Sequence, residues 1–354
     1  MTDAIWSEQR TTPEAVEGAL RQLVHERHTE NGGLVPARTL NMVAFIDREY
    51  SGEIANRLRG VGRYHASRLI LLAYEPRRTE LDARVTVAAD EEPGPGELAL
   101  LHETVVVELG AAHLDDLRTI VDPLVLTDVP TLLWSPHRHP EAIDALSPLA
   151  QTVLLDSAED PVWREALGVA DGLAEHLYVV DLAWVRSSPW RERIAATFAQ
   201  PARRAELETI AKVAVRHHPD YTVSAMLLIG WLASRLHWQV SPLVVHAAPR
   251  ETVNGRAHGR RQDIELSLQA VPEQQVPGLA GITIETASGR SLSLNRGPGG
   301  LHAEEHRPRG DSRQWVILGA SRGEGGVLGE GIRQALLRDP TYAPALHTAQ
   351  AMAP

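Results

Sequence analysis

The sequence predicts an α/β N-terminal domain, with a mixed sheet and helices on both faces, followed by an α+β C-terminal domain containing an antiparallel meander. Three patterns predict this: apolar runs such as TLNMVAFI with no polar face, helical stripes between those runs, and late strands such as DIELSLQAV that alternate residue by residue. A run apolar on both sides suits a strand covered on two faces, whereas strict alternation suits a strand covered on one. At 354 residues the chain is long enough for two cores, divided here as 1–168 and 169–354.

Thr12 and Pro13 read as a helix cap followed by proline at the first helical position, and Val16, Leu20, Leu23 and Val24 fall on one stripe. A first helix over about 13–27 follows. Beyond the NGGLVP loop, TLNMVAFI is the first central strand, and Asp47 is placed to cap a helix over about 48–59. SRLILLAY, ARVTVAA, ETVVVEL, TLLW and QTVLL are further strands, with the stripe Leu114, Leu117, Ile120 and Val121 lying between two of them. The turn-rich link EEPGPGE joins ARVTVAA to ETVVVEL and makes that pair antiparallel, hence the mixed sheet.

In the second domain LYVVDLAWVRSSPWRERIAATF leads to an apolar helix beginning near Thr222, too short to cross a bilayer. In DIELSLQAV, Ile264, Leu266 and Leu268 share one face and Asp263, Glu265 and Ser267 the other. GITIET and SLSLN flank a loop containing Gly289 and form a hairpin, and RQWVILG supplies another strand. The glycine cluster Gly319–Gly331 leads into a helix expected to start near 329.

Composition removes several function classes. With 46 acidic against 35 basic residues the net charge is -11, and no basic block interrupts it, which argues against nucleic-acid and membrane surfaces as partners. The absence of cysteine excludes disulfides, thiolate nucleophiles and thiolate metal sites. MTDAIWSEQR has no apolar core of a signal peptide, so the cytoplasm is the expected location. Lys212 is the only lysine, so lysine chemistry has a single candidate.

The catalytic strings are incomplete. Gly319, Ser321 and Gly323 form a G-x-S-x-G after the strand WVIL, where a hydrolase nucleophile would sit. His347 is the only later histidine, however, and the strand belongs to an antiparallel context, which favours a plain glycine-rich turn. The same loop fails as a P-loop, for no lysine follows, and as a dinucleotide fingerprint, for Leu328 stands at the third glycine. His137 with His139, and His217 with His218, could supply imidazole ligands, but no third ligand is defined. His65, Ser67 and Arg68 before one strand, and Asp156, Ser157 and Glu159 after another, sit where α/β sheets display polar groups. They are a candidate small-molecule pocket, with caps and loop hydrogen bonds as the structural reading.

The most unusual string is DLAWVRSSPWR, in which Trp184, Arg186, Trp190 and Arg191 surround a helix-starting Ser-Ser-Pro. Tryptophan and arginine dominate interface hot spots, so these four are candidate partner-binding residues. The other reading makes both tryptophans core and both arginines their lids.

Several strings in one order carry a resemblance: RTLNMVAFI, RYHASRLILL, HLDDLRTIVDPLVLTDVPTLLWSP with VLLDSAE, DLAWVRSSPWRERIAATF and AMLLIGWLASRLHW. Over about residues 38–238 the chain resembles the OpcA family, the glucose-6-phosphate dehydrogenase assembly proteins of actinobacteria and cyanobacteria. The resemblance implies no catalytic residue and no cofactor. It implies a protein that binds glucose-6-phosphate dehydrogenase, promotes its active oligomer and acts as an allosteric activator, feeding the pentose phosphate pathway and NADPH supply. Cyanobacterial members are linked to thioredoxin control through cysteines, which cannot carry over to a chain that has none. The use of arginine in place of lysine suits an actinobacterial source. The rival reading is a sugar-phosphate-binding sensor.

Overall fold

The computed structural model describes residues 4–30, 38–62, 67–89, 101–246, 252–308, 310–318 and 324–354. The chain forms two compact units, one of residues 1–155 with 177–179 and one of residues 156–176 with 180–354.

The first unit is built on a mixed sheet. Its strands are β1 (Ala4–Glu8), β2 (Leu40–Asp47), β3 (Ser67–Tyr74), β4 (Asp82–Ala89), β5 (Leu101–Leu109), β6 (Thr131–Trp134), β7 (Thr152–Leu155) and β8 (Tyr178–Asp181, its last two residues counted in the second unit), in the spatial order β1-β4-β5-β3-β2-β6-β7-β8. β5, β3, β2, β6 and β7 run parallel, while β1 and β4 add antiparallel pairs at one edge. Four helices accompany them: α1 (Pro13–Glu30), α2 (Ser51–Gly62), α3 (Leu117–Val121) and α4 (Pro140–Leu146). β2 is buried from Leu40 to Ile46, as its two-sided apolar run predicts. Val43, Phe45, Ile70 and Leu72 face a core with Val16 and Leu20 of α1, and Met42, Ala44 and Leu71 are buried on the other face. The four-residue stripe from Leu114 yields only the short α3, whose Leu117, Ile120 and Val121 join that core.

Asp47 does not cap a helix. The backbone enters a 3-10 turn at Arg48–Tyr50 with no side-chain cap bond from Asp47. Its carboxylate instead meets His139 Nε2 at 2.9 Å, and its backbone N–H donates to His137 Nδ1 at 2.9 Å. His137 and His139, considered as imidazole ligands, are spent instead on fixing the end of β2.

The second unit holds a nine-stranded sheet: β9 (Ile210–His217), β10 (Gln239–Val240), β11 (Val244–His246), β12 (Thr252–His258), β13 (Asp263–Ala270), β14 (Leu279–Thr286), β15 (Ser291–Gly297), β16 (Gly300–His306) and β17 (Ser312–Leu318). β14 to β17 form the antiparallel meander, and Gly289, at φ +79°, supplies the left-handed residue of the β14–β15 turn. β9 is the central strand, parallel to β13 and antiparallel to β14. Its helices are α5 (Trp163–Ala174), α6 (Leu182–Arg186), α7 (Ser188–Phe198), α8 (Pro201–Arg204), α9 (Thr222–Leu236), α10 (Glu324–Leu337) and α11 (Tyr342–Met352). α9 is buried on nearly every side because it packs on β9 and β13 and is flanked by α5 and α11. Gly230 allows that approach: a Cβ there would stand 2.3 Å from the carbonyl oxygen of Ala345. α10 begins at Glu324, one turn and more before the expected start near 329. The G-x-S-x-G string with Ser321 lies outside the described residues.

Candidate functional site

The string DLAWVRSSPWR folds as the end of β8, the single turn of α6 and the start of α7. Asp181 ends β8 in extended backbone and accepts from the N–H of Ala183 at 2.9 Å, so the strand turns directly into a helix. Pro189 then sits at the start of α7, where its missing N–H costs nothing.

This corner is wired from inside. Asp181 is 1% exposed and accepts from Ser157 Oγ at 2.5 Å, Ser157 N at 3.1 Å and the Tyr342 hydroxyl at 3.1 Å. Burial, with the nearby charge of Asp156 adding to it, pushes its carboxyl up to about 6. Trp184 donates from Nε1 to Asp339 Oδ2 at 2.9 Å, and the Arg191 guanidinium lies over its ring. Burial lowers Arg191 to about 10, with the Asp339 charge opposing. Arg186 pairs with Asp156 at 2.7 Å.

Trp184 and Trp190 are thus core residues, 1% and 2% exposed, and Arg191 is a lid at 9%. Of the four candidate partner-binding residues only Arg186 retains partial exposure. Trp184 and Arg191 can bear on a partner surface only by supporting it.

The candidate small-molecule residues are used locally. Arg68 is buried, with Nε 2.6 Å from Glu103 Oε2 and Nη1 donating to the carbonyl of Leu124 at 2.9 Å. Glu103 also receives Arg38, from Nε at 2.7 Å. Ser67 is half-buried at the start of β3, and His65 lies outside the described residues. Asp156 and Ser157, in the other unit, serve Arg186 and Asp181. His217 is 2% exposed and bonds the carbonyl of His218 at 2.8 Å, while His218 accepts from the N–H of Asp220 as a cap, so the pair does not converge. Among the described residues no group of three His, Asp or Glu side chains could hold a metal ion.

A cleft that no sequence string announces opens beside the corner, within the second unit. It has a volume of about 680 Å³ and is walled by the α6–α7 turn, by Ser224 of α9, by the loop 276–279, by the β15–β16 turn 296–301 and by Val327 of α10. Arg186, Ser187 and Trp190 line it, so the unusual string contributes one wall. Arg296 contributes another: its Nε donates to the carbonyl of Leu279 at 3.0 Å, and burial lowers its pKa. Its only sequence signal was an arginine directly before the turn Gly297–Gly300.

With the geometry in place, comparison with known proteins adds two domain matches. Residues 59–170 match the N-terminal domain, and residues 177–346 the C-terminal domain, of the family described as the glucose-6-phosphate dehydrogenase subunit. A protein of Nostoc punctiforme, provisionally named OxPP cycle protein OpcA, is 27% identical over 186 residues, which is 51% of this chain and 40% of that one. A protein of the same provisional name from Synechococcus elongatus is 29% identical over 142 residues, 39% of this chain and 32% of that one. The matched stretch spans well under half the length of these relatives. Among solved structures, a provisionally assigned oxidoreductase, yvaA of Bacillus subtilis, superimposes with TM-score 0.49 at 11% identity, over 88% of this chain and 95% of that one. The WlbA dehydrogenase of Thermus thermophilus gives 0.43 at 13% identity, over 88% and 94%. Neither likeness carries a functional assignment.

Proposed function

Because the chain belongs to the OpcA family of glucose-6-phosphate dehydrogenase subunits, we propose that it is a non-catalytic protein that binds glucose-6-phosphate dehydrogenase, promotes its active oligomer and raises its activity in the oxidative pentose phosphate pathway. The observation that supports this is that both domain matches, over 59–170 and 177–346, carry the description of a subunit of that enzyme. The polar strings agree with it, because Arg68, Asp156, Ser157, His217 and the Trp-Arg corner are engaged in internal bonds rather than converging on a reacting centre.

Activation is then a coupling free energy. The chain must bind the enzyme's high-affinity state more tightly than its low-affinity state, and about 1.4 kcal/mol of difference gives a tenfold effect. In this reading the α6–α7 turn carries the contact, with Arg186 at its surface and Trp184, Trp190 and Arg191 holding it from within. The result is more NADPH at low substrate, in the cytoplasm, without thiol control.

The test is the activity of glucose-6-phosphate dehydrogenase from the same organism across a glucose 6-phosphate titration, with and without the purified chain. A lowered half-saturation or raised maximum, with co-elution on a sizing column, is the expected result. An unchanged titration curve together with separate elution overturns the proposal.

A further inference from the structure

The cleft of the second unit has a charge pattern opposite to that of the chain. Net charge is -11 overall, yet its described lining contains two arginines, two serines and no carboxylate. Arg186 is balanced by its ion pair with Asp156. Arg296 is balanced by nothing: among the described residues no carboxylate reaches it, and its hydrogen bonds go only to the carbonyls of Leu279, at 3.0 Å, and Pro277, at 3.5 Å.

Those two bonds orient the guanidinium and leave Nη1 without a described partner. Arg216, another arginine with no carboxylate partner among the described residues, makes the contrast, for its Nη1 and Nη2 are spent on Thr283 and Asn295 at 3.3 and 2.6 Å. A half-buried guanidinium with an N–H left over is a ready donor to an anion, and such charge-assisted bonds are among the stronger hydrogen bonds.

A second observation points the same way. Ser224 is 2% exposed, lines the cleft, and its Oγ has no hydrogen-bond partner. Buried hydroxyls are normally satisfied, and an orphan beside a cleft marks a bond that something else completes. Trp190 lines the same cleft, with no hydrogen-bond partner for its indole N–H among the described residues, and the apolar remainder of the lining, Val185, Pro189, Val276 and Leu301, suits a carbon skeleton. A volume of about 680 Å³ falls inside the roughly 300–1,000 Å³ range of small-molecule sites.

We infer that this cleft binds a small metabolite through an oxyanion group, a phosphate or a carboxylate, held by Arg296, Ser224 and Trp190. The inference rests on the geometry of the chain alone, so it stands or falls separately from the partner reading.

The test uses the full chain without the enzyme. Thermal unfolding and titration calorimetry are run with inorganic phosphate, glucose 6-phosphate, gluconate and glucose at constant ionic strength. At least one anion should raise the unfolding temperature and bind, with glucose inert; glucose 6-phosphate against gluconate tells phosphate from carboxylate. Arg296→Gln should weaken that binding about tenfold or more, with Arg296→Lys restoring part of it. Ser224→Ala should weaken it while leaving the ligand-free unfolding temperature no lower. Stabilisation by none of the anions, equal stabilisation by glucose, or unchanged affinity in both Arg296→Gln and Ser224→Ala overturns the inference.

Discussion

Arg191 sits over the Trp184 ring, its Cζ 3.5 Å from the centroid, and both side chains meet the same carboxylate, Asp339, at 3.5 and 2.9 Å. Residues 155 positions apart in sequence are thereby tied together, α6 and α7 to the turn before α11. Asp339 also accepts from the N–H and hydroxyl of Thr341. Burial works against its charge, but these donors and Arg191 outweigh it and hold the carboxyl below its ordinary pKa.

Asp339→Ala should destabilise the second unit by about 2–4 kcal/mol, because it leaves a buried guanidinium without its anion and an indole N–H without its acceptor. Asp339→Asn keeps an acceptor for Trp184 and should cost about 1–2 kcal/mol. Urea unfolding followed by tryptophan fluorescence measures both; equal losses in the two variants would mean that charge alone matters.

In the first unit Glu103 is the corresponding node. It is 2% exposed and binds the buried Arg68 together with the half-buried Arg38, so Glu103→Ala should cost about 3–5 kcal/mol, the usual result of stranding a buried arginine. The double change Glu103→Ala with Arg68→Met should recover part of it. A double variant less stable than the single one would place the energy elsewhere, for example in the bond from Arg68 to Leu124.

Strands whose side-chain pattern alone decides their environment were legible in the sequence. β2 is buried on both faces and apolar on both; β13 alternates and is covered on one; β14 and β15 show their turn through Gly289. β9, the centre of the second sheet, was not legible as a strand. IAKVAVRH carries Lys212 and Arg216 on its polar face, a short alternation broken by a His-Pro sequence, and only its neighbours β13 and β14 make it central. The Asp47 cap failed because a side chain able to cap can also serve a tertiary partner, and His139 is the partner it has. The cleft was legible only at Trp190 and Arg186, since its other walls come from residues 224, 276–279, 296–301 and 327, which no sequence spacing relates.

Trp190 is both core and cleft wall, and the size of the substitution decides which role is read. Trp190→Ala removes a side chain 2% exposed and should cost about 3–5 kcal/mol, so a loss of partner binding in that variant would report unfolding. Trp190→Phe keeps most of the volume and removes the N–H, and should cost no more than about 1.5 kcal/mol. Any change in partner or anion affinity in the phenylalanine variant, measured where circular dichroism matches the parent, belongs to the surface. A loss above about 3 kcal/mol from this conservative change would put the indole wholly in the core.

Asp181 gives the chain a pH dependence of defined sign. Its ordinary pKa of 3.8 is raised to about 6, first by burial and then by the charge of Asp156, against the bonds from Ser157 and Ala183. The folded state therefore holds the Asp181 proton more tightly than the unfolded state, so this group's contribution to stability falls as pH rises from about 4 to about 6 and is constant above. At about 1.4 kcal/mol per unit, the shift of roughly two units corresponds to at most about 3 kcal/mol. His217 acts in the opposite sense: burial lowers its pKa, so its contribution is present above the ordinary value of 6.5 and lost as pH falls below it. His137, lowered mainly by burial, follows the same sign. The raw stability curve mixes these slopes, and the difference between the parent and Asp181→Asn separates them. That difference should move in favour of the variant by about 2–3 kcal/mol between pH 4 and pH 6.5, as followed by urea unfolding at fixed ionic strength. A flat difference would mean that the four donors around Asp181, with Tyr342 among them, keep the carboxylate ionised despite its burial.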